Sequence, residues 1–291
     1  MRKLLMVLLS FLLFFYVGIA NAKAITVVTS FTVLQDVVKN ISGDKAKVQS
    51  IVGYDQDPHE FELKPKDMVL IKNCDLVVAN GLGLESWVYA VDKSKLIVVN
   101  EGINPIIYLG KIDPHTWQDP YIVSSLYVKK ILLKLQQIDP DNASYYQANA
   151  DKYIEKLQKL NSEIIKKFAK IPQDMRYVVT THDAFSYFGK RYNLKFLSLQ
   201  GVSTDSEPAP QDMAKLEEYI KSSKNKIVFL ENMSNSKLMK QITSDTGAVI
   251  GGKLYADGLS KEATANTYVK MIEANTDTIL KAYKKSESNS K

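Results

Sequence analysis

The chain holds only three histidines, His59, His115 and His182, and each stands next to a proline or an aspartate in a similar setting. Two occupy the same tripeptide, Asp57-Pro58-His59 and Asp113-Pro114-His115, and the third is followed by Asp183. Proline restrains its own φ and pushes the preceding residue toward extended geometry, so each Asp-Pro-His is a stiff loop that aims one imidazole. Imidazole suits zinc, iron and other first-row metals, whereas a carboxylate admits manganese. The three loops are therefore read as one shared metal site. Asp257, in the Ala256-Asp257-Gly258 loop, is the candidate carboxylate. Asp57, Asp113 and Asp183 compete for that role, although each is better placed to hold its loop or to accept a hydrogen bond from a ligand imidazole. No short motif offers other chemistry. There is no His-Glu-x-x-His, no cysteine cluster and no serine elbow, and Gly81-Leu82-Gly83 lacks the third glycine and the basic ending of a phosphate loop.

The elements that must position these residues read as α/β. Strands are expected at Ala24–Ser30, Lys47–Val52, Asp75–Asn80 and Leu96–Asn100. Between them fall helices at Phe31–Ile41, with Leu34, Val37, Val38 and Ile41 on one face, and at Pro65–Asn73. Short apolar runs alternating with helices argue for a parallel sheet covered on both faces. After Trp117-Gln118-Asp119-Pro120 one helix runs to about Gln137. A second follows from Asp139 and Pro140, striped by Tyr146, Ala150, Tyr153, Leu157, Leu160, Ile164 and Phe168. It ends near Pro172, about thirty residues and 45 Å on, and is read as a rigid connector across two lobes. The pattern then restarts with strands at Arg176–Thr181, Lys195–Leu199, Lys226–Glu231 and within Gly247–Tyr255. Helices fall at Asp212–Ile220, Lys237–Thr243 and Thr264–Tyr283. The expected organisation is an N-terminal α/β lobe over 23–138, the connecting helix over 139–172 and a C-terminal α/β lobe over 173–291. All three histidines then lie beyond strand ends, where loops gather in such folds, and the site falls in the cleft between lobes.

Residues 1–22 read as a cleavable signal peptide. Arg2 and Lys3 precede an apolar run, and Ala20-Asn21-Ala22 is a small-x-small cleavage site. No cysteine lies there, and the single Cys74 excludes a disulfide within the chain. The expectation is a soluble, unlipidated periplasmic protein. The formal charge of +6 falls to +4 without Arg2 and Lys3, and the remaining lysines are interspersed with acids. Nucleic-acid binding would need a concentrated basic stripe with stacking aromatics, and none is present.

Four segments carry a family resemblance: 57–67 (Asp-Pro-His-Glu-Phe-Glu-Leu-Lys-Pro-Lys-Asp), 113–117 (Asp-Pro-His-Thr-Trp), 180–188 (Thr-Thr-His-Asp-Ala-Phe-Ser-Tyr-Phe) and 199–208 (Leu-Gln-Gly-Val-Ser-Thr-Asp-Ser-Glu-Pro). They resemble the periplasmic metal-binding proteins of zinc and manganese ABC transporters, cluster A-I, the TroA/ZnuA-like family. The resemblance covers the whole mature chain. It implies two four-stranded α/β lobes joined by one long helix, with a divalent cation captured for a permease and, through it, a cytoplasmic ATPase. It places the family's ligands on His59, His115, His182 and Asp257. Manganese-specific relatives resemble a glutamate at the third position, where this chain has His182, and the long His- and acid-rich loop of many zinc-specific relatives is missing. One ion of zinc or manganese is implied, with iron(II) as a third candidate, bound by a monomer.

Two other classes are weighed. An exported zinc hydrolase would use the same histidines with Asp257 or Glu231 as general base, but four protein ligands leave little room for an activated water. A surface adhesin is the third class. Within the leading reading, affinity is expected to fall below about pH 6.5, where free imidazole regains its proton. Because the connecting helix has no hinge residue, release is expected through displacement of the Asp257 loop.

Overall fold

The computed structural model describes residues 24–289 other than 109, 206, 207, 224, 225 and 235. The expected signal peptide, residues 1–22, lies outside the described residues. Two parallel four-stranded sheets carry the fold. The first contains β1 (Ile25–Thr29), β2 (Ala46–Ser50), β3 (Leu76–Ala79) and β4 (Leu96–Val98), in the order β2-β1-β3-β4. After a two-stranded hairpin, β5 (Ile107–Tyr108) and β6 (Lys111–Ile112), the second sheet uses β7 (Tyr177–Thr180), β8 (Lys195–Ser198), β9 (Ile227–Glu231) and β10 (Val249–Leu254). Its order is β10-β9-β7-β8. Numbered within each sheet, both orders are second-first-third-fourth. Each sheet thus reverses direction between its first and third strands, the position where ligands bind at the carboxyl ends of parallel strands.

The period-two alternation of strand side chains sorts the core. In β1 Val27 enters the main core while Val28 points to a satellite cluster on the outer face, and in β3 Leu76 and Val78 enter while Val77 points out. In β9 Ile227 and Phe229 enter, while Val228 joins an outer cluster with Leu216, Ile220, Met239 and Ile242. The helices on these faces are α1 (Thr32–Ser42), α2 (Pro65–Asn73), α3 (Pro120–Ile122), α4 (Val128–Ile138), α5 (Ala143–Phe168), α6 (Ser186–Tyr192), α7 (Pro210–Ser222), α8 (Ser236–Thr246) and α9 (Tyr268–Asn289). Cys74 is buried in the first outer cluster, its Sγ 3.2 Å from the Ile71 carbonyl.

The connecting helix α5 has 26 residues, about 39 Å at 1.5 Å per residue. Its buried residues are the seven of the sequence stripe, Tyr146 through Phe168. It is shorter than expected at its start because Pro140–Asn142 form a separate 3-10 turn. Asp139 accepts from Asn142 Nδ2 at 2.9 Å and from the Tyr146 hydroxyl, rather than capping a backbone N–H. The stripe packs into one hydrophobic cluster that includes Val27, Phe31 and Trp117 of the first lobe and Phe185, Phe229 and Leu254 of the second. The two sheets therefore share a continuous core. A π turn, Val123–Tyr127, links α3 to α4 in the segment that reads from sequence as one helix, and it carries Tyr127 beneath the site.

Candidate metal centre

Both Asp-Pro-His loops fold as the same turn. The Asp57 carboxylate accepts from the His59 N–H at 2.8 Å, and Asp113 accepts from the His115 N–H at 2.9 Å. An aspartate that captures the N–H two residues on locks the tripeptide locally. The loops then diverge. Asp113 also accepts from His115 Nδ1 at 2.8 Å, while Asp57 turns its other oxygen to Thr204 Oγ1 of the second lobe, 2.7 Å away. Asp183 accepts from Ser186 Oγ at 2.7 Å at the start of α6 and contacts no ligand atom there.

The structure brings all four candidate ligands together. One donor atom from each of His59, His115, His182 and Asp257 lies within 4.8 Å of the others. His59 Nε2 and His115 Nε2 are 3.1 Å apart, His115 Nε2 is 3.2 Å from Asp257 Oδ1, and His182 Nε2 is 3.2 Å from Asp257 Oδ2. The shortest separations lie near the ~3.3 Å edge of a tetrahedron with metal–ligand bonds of ~2.0 Å, while His59 Nε2 stands 3.8 Å from Asp257 Oδ1. His182 Nε2 and Asp257 Oδ1 are buried yet make no aligned hydrogen bond. Buried polar atoms almost always find a partner, and here His182 Nε2 and the Asp257 carboxylate face the other candidate ligands at close range. Three imidazoles and one carboxylate so grouped fit a divalent first-row cation.

Electrostatics agree with a cation in this place. Burial works against charge on His115, but the Asp113 and Asp257 carboxylates outweigh it and raise its pKa to about 9. Burial likewise opposes charge on His182, yet Glu231 and Asp257 hold its pKa well above the usual range. Asp257, despite complete burial, is held well below the usual carboxylate range by the charge of His182 and the close approach of the His115, His182 and His59 rings.

Two supports were not legible in the sequence. Glu231, read there only as a general base for a hydrolase, sits behind His182 with Oε2 2.5 Å from Nδ1. Beneath the His115 loop lies a buried polar cluster. Asn100 donates to Asn80 Oδ1 at 2.9 Å, Tyr127 donates to the same oxygen at 2.6 Å, and Asn80 Nδ2 donates to the Pro114 carbonyl at 3.0 Å. The only signal for it was an asparagine closing each of two apolar strands. Among the described residues no carboxylate backs His59.

The Asp257 loop, expected to move on release, carries several contacts to the first lobe. It follows β10 of the second lobe, yet the Ala256 carbonyl accepts from Trp117 Nε1 at 2.8 Å and from Gln118 Nε2 at 2.6 Å. The Leu259 N–H donates to Thr32 Oγ1 at 2.8 Å, and the Leu259 carbonyl accepts from the Asp55 N–H at 3.1 Å. All four partners belong to the first lobe, so the loop is sewn to the lobe opposite its own strand. A Cβ at Gly258 would lie 3.1 Å from Thr32 Oγ1, tight enough to press on that contact. Displacing Asp257 alone would break this seam. Arg191 of α6 adds a second strap, pairing with Asp119 at 2.8 Å and covering the Tyr121 ring at 4.4 Å.

The chain matches the family profile described as ZnuA, zinc-uptake complex component A, periplasmic, over residues 27–282. It is 35% identical over 273 residues to the iron-binding protein YfeA of Yersinia pestis, covering 90% of this chain and 88% of that protein. It is 32% identical over 267 residues to the manganese-binding lipoprotein MntA of Halalkalibacterium halodurans, covering 89% of each. The periplasmic zinc-binding protein TroA of Treponema pallidum superposes with a TM-score of 0.84 at 30% identity, over 89% of this chain and 99% of that one. These relatives correct the expected localisation. MntA and further relatives at 31–33% identity are lipoproteins, so the assignment of this chain as an unlipidated protein free in the periplasm is withdrawn. The physical reason is that a folded bilobed domain is equally compatible with a lipid tether and with free diffusion, and its core carries no trace of either.

Proposed function

The chain belongs to the ZnuA family of metal-uptake components, and on that premise we propose that it holds one divalent transition-metal ion on His59, His115, His182 and Asp257. It captures the metal for an ABC transporter and delivers it there; the family is one of solute-binding transport proteins, not enzymes, and the hydrolase alternative is set aside. The metal is cargo. The observation that carries the ligand assignment is the convergence of four donor atoms within 4.8 Å, two of them buried without an aligned partner.

The chemistry of capture follows from the side chains. Nδ1 of His115 and of His182 each faces a carboxylate, so each ring presents its Nε2 lone pair inward. Asp257 supplies the negative charge that offsets part of the cation's charge. Three nitrogens and one oxygen favour zinc over manganese in intrinsic affinity, because manganese stands lowest in the order of stability constants of the divalent first-row metals. All four donors come from one chain, and we take the monomer as the unit that binds. A permease and its ATPase are the partners that family membership implies.

Elemental analysis of protein purified without added metal, followed by competition among zinc, manganese and iron(II), tests the reading. It expects one ion per chain and tighter binding of zinc than of manganese. Less than half an ion per chain after saturation with each metal would overturn it.

A further inference from the structure

Glu231 closes β9 at the point where the second sheet reverses direction. The register pairs Val179 of β7 with Val228 of β9. Three residues on from each, His182 comes level with Glu231. There the carboxylate gathers four donors. Oε1 accepts from the Thr181 N–H at 2.8 Å and the His182 N–H at 3.0 Å, and Oε2 accepts from Ser234 Oγ at 2.7 Å and faces His182 Nδ1 at 2.5 Å. Glu231 and His182 are both buried, so water does not compete for these contacts. The first lobe offers a comparison. Glu85 accepts from the Asn80 and Gly81 N–H groups at 2.8 and 2.9 Å just beyond β3, with no imidazole in its reach. A carboxylate that holds the turn is thus common to both lobes, and only the second adds a ring.

We infer that Glu231 is a positioning residue for metal capture, fixing His182 as the Nδ1–H tautomer so that Nε2 is committed to the metal. This rests on the metal-capture reading above. A neutral imidazole has one N–H, and the nitrogen that carries it cannot ligate. The Glu231 carboxylate accepts but cannot donate, so it stabilises only the proton on Nδ1. Glutamine in its place keeps one oxygen for the two backbone N–H groups. Its NH₂ then meets Nδ1–H donor against donor, and the ring relieves this by moving its proton to Nε2, the nitrogen the metal needs.

The variant therefore separates turn-holding from positioning. Glu231→Gln is expected to stay folded, its remaining oxygen keeping the two backbone N–H bonds, but to bind Zn²⁺ about 10- to 100-fold more weakly in chelator competition. With only three histidines in the chain, ¹⁵N-edited NMR of the zinc-loaded protein resolves each ring. Wild type is expected to show His182 coordinated through Nε2 with a protonated Nδ1, and Glu231→Gln to show His182 off the metal with its proton on Nε2, the Nδ1–H signal lost. Affinity within about twofold of wild type, or a loss of affinity with the Nδ1–H signal unchanged, overturns the inference. Should Glu231→Gln not fold, the wild-type spectrum still decides, since coordination through Nδ1 of His182 refutes it. Wild-type protein that takes up no zinc overturns the capture reading together with this one, whereas failure confined to the variant comparison removes only the role of Glu231.

Discussion

Metal capture at neutral pH must expel protons, and the structure sets how many and over what range. A proton and a metal ion compete for the same imidazole lone pair. His115 has its pKa raised to about 9 by Asp113 and Asp257, and His182 is held well above the usual range by Glu231 and Asp257. At pH 7 a group with pKa near 9 costs about 2.7 kcal/mol to deprotonate, roughly a hundredfold in apparent affinity. Affinity should therefore rise about tenfold per pH unit for the His115 proton alone, and more steeply with His182 included. The fall expected from free imidazole, below about pH 6.5, is thus moved upward toward pH 9 by the buried carboxylates. Isothermal calorimetry at pH 7 in two buffers of different ionisation enthalpy should report between about one and two protons released per Zn²⁺, with affinity dropping at least about 100-fold from pH 8 to 6. Release of less than about 0.3 proton together with a flat affinity over that range would refute the electrostatic reasoning.

Three further outcomes follow from the same geometry. The proton cluster also sets the pH dependence of stability without metal. A raised histidine pKa stabilises fully below the ordinary 6.5 and loses this as pH rises through about 9, while the depressed Asp257 stabilises above 3.8 and loses this as pH falls through its lower folded value. Thermal unfolding of metal-stripped protein should therefore move down from pH 6.5 to 9, and a constant midpoint across that range would contradict the pairing. Trp117→Phe keeps the ring in the core but removes the bond to the Ala256 carbonyl, so it should cost about 1–2 kcal/mol in denaturant titration and speed metal release; unchanged release kinetics would show that the seam does not hold Asp257. Leu157→Ala, in the middle of the α5 stripe, should cost about 2–5 kcal/mol of stability while metal-binding stoichiometry stays at one, because it lies in the shared core and touches no ligand.

Much of the scaffold was legible because burial and spacing are local properties. The stripe of α5 was readable residue by residue, since an amphipathic helix of that length writes its buried face into every third or fourth position. The strand and helix alternation of both lobes was readable for the same reason. The three histidines were visible through the rigidity of Asp-Pro-His and their scarcity. Other features depend on what lies opposite in space, and chain spacing does not encode that. Glu231 reaches His182 across 49 residues through strand adjacency at the switch point, and nothing in its own surroundings marks it. The seam on Asp257 joins Trp117 to Ala256 across 139 residues, so the bonds that tie the loop beside Gly258 are not visible in its own sequence. The β5–β6 hairpin has two residues per strand, too few to show alternation. Helix α9 runs on to Asn289 past the expected end at Tyr283, because Lys284 and Lys285 are good helix formers that extend a helix without continuing its apolar stripe.

The ligand set is tested most directly by X-ray absorption at the zinc edge of the loaded protein, alongside zinc titration of His59→Ala, His115→Ala, His182→Ala and Asp257→Ala. The expected ligands are three imidazole nitrogens and carboxylate oxygen at ~2.0 Å, with imidazole scattering reduced by one ring in each histidine variant. A wild-type shell of oxygens alone, or a spectrum unchanged in all three histidine variants, would contradict the account.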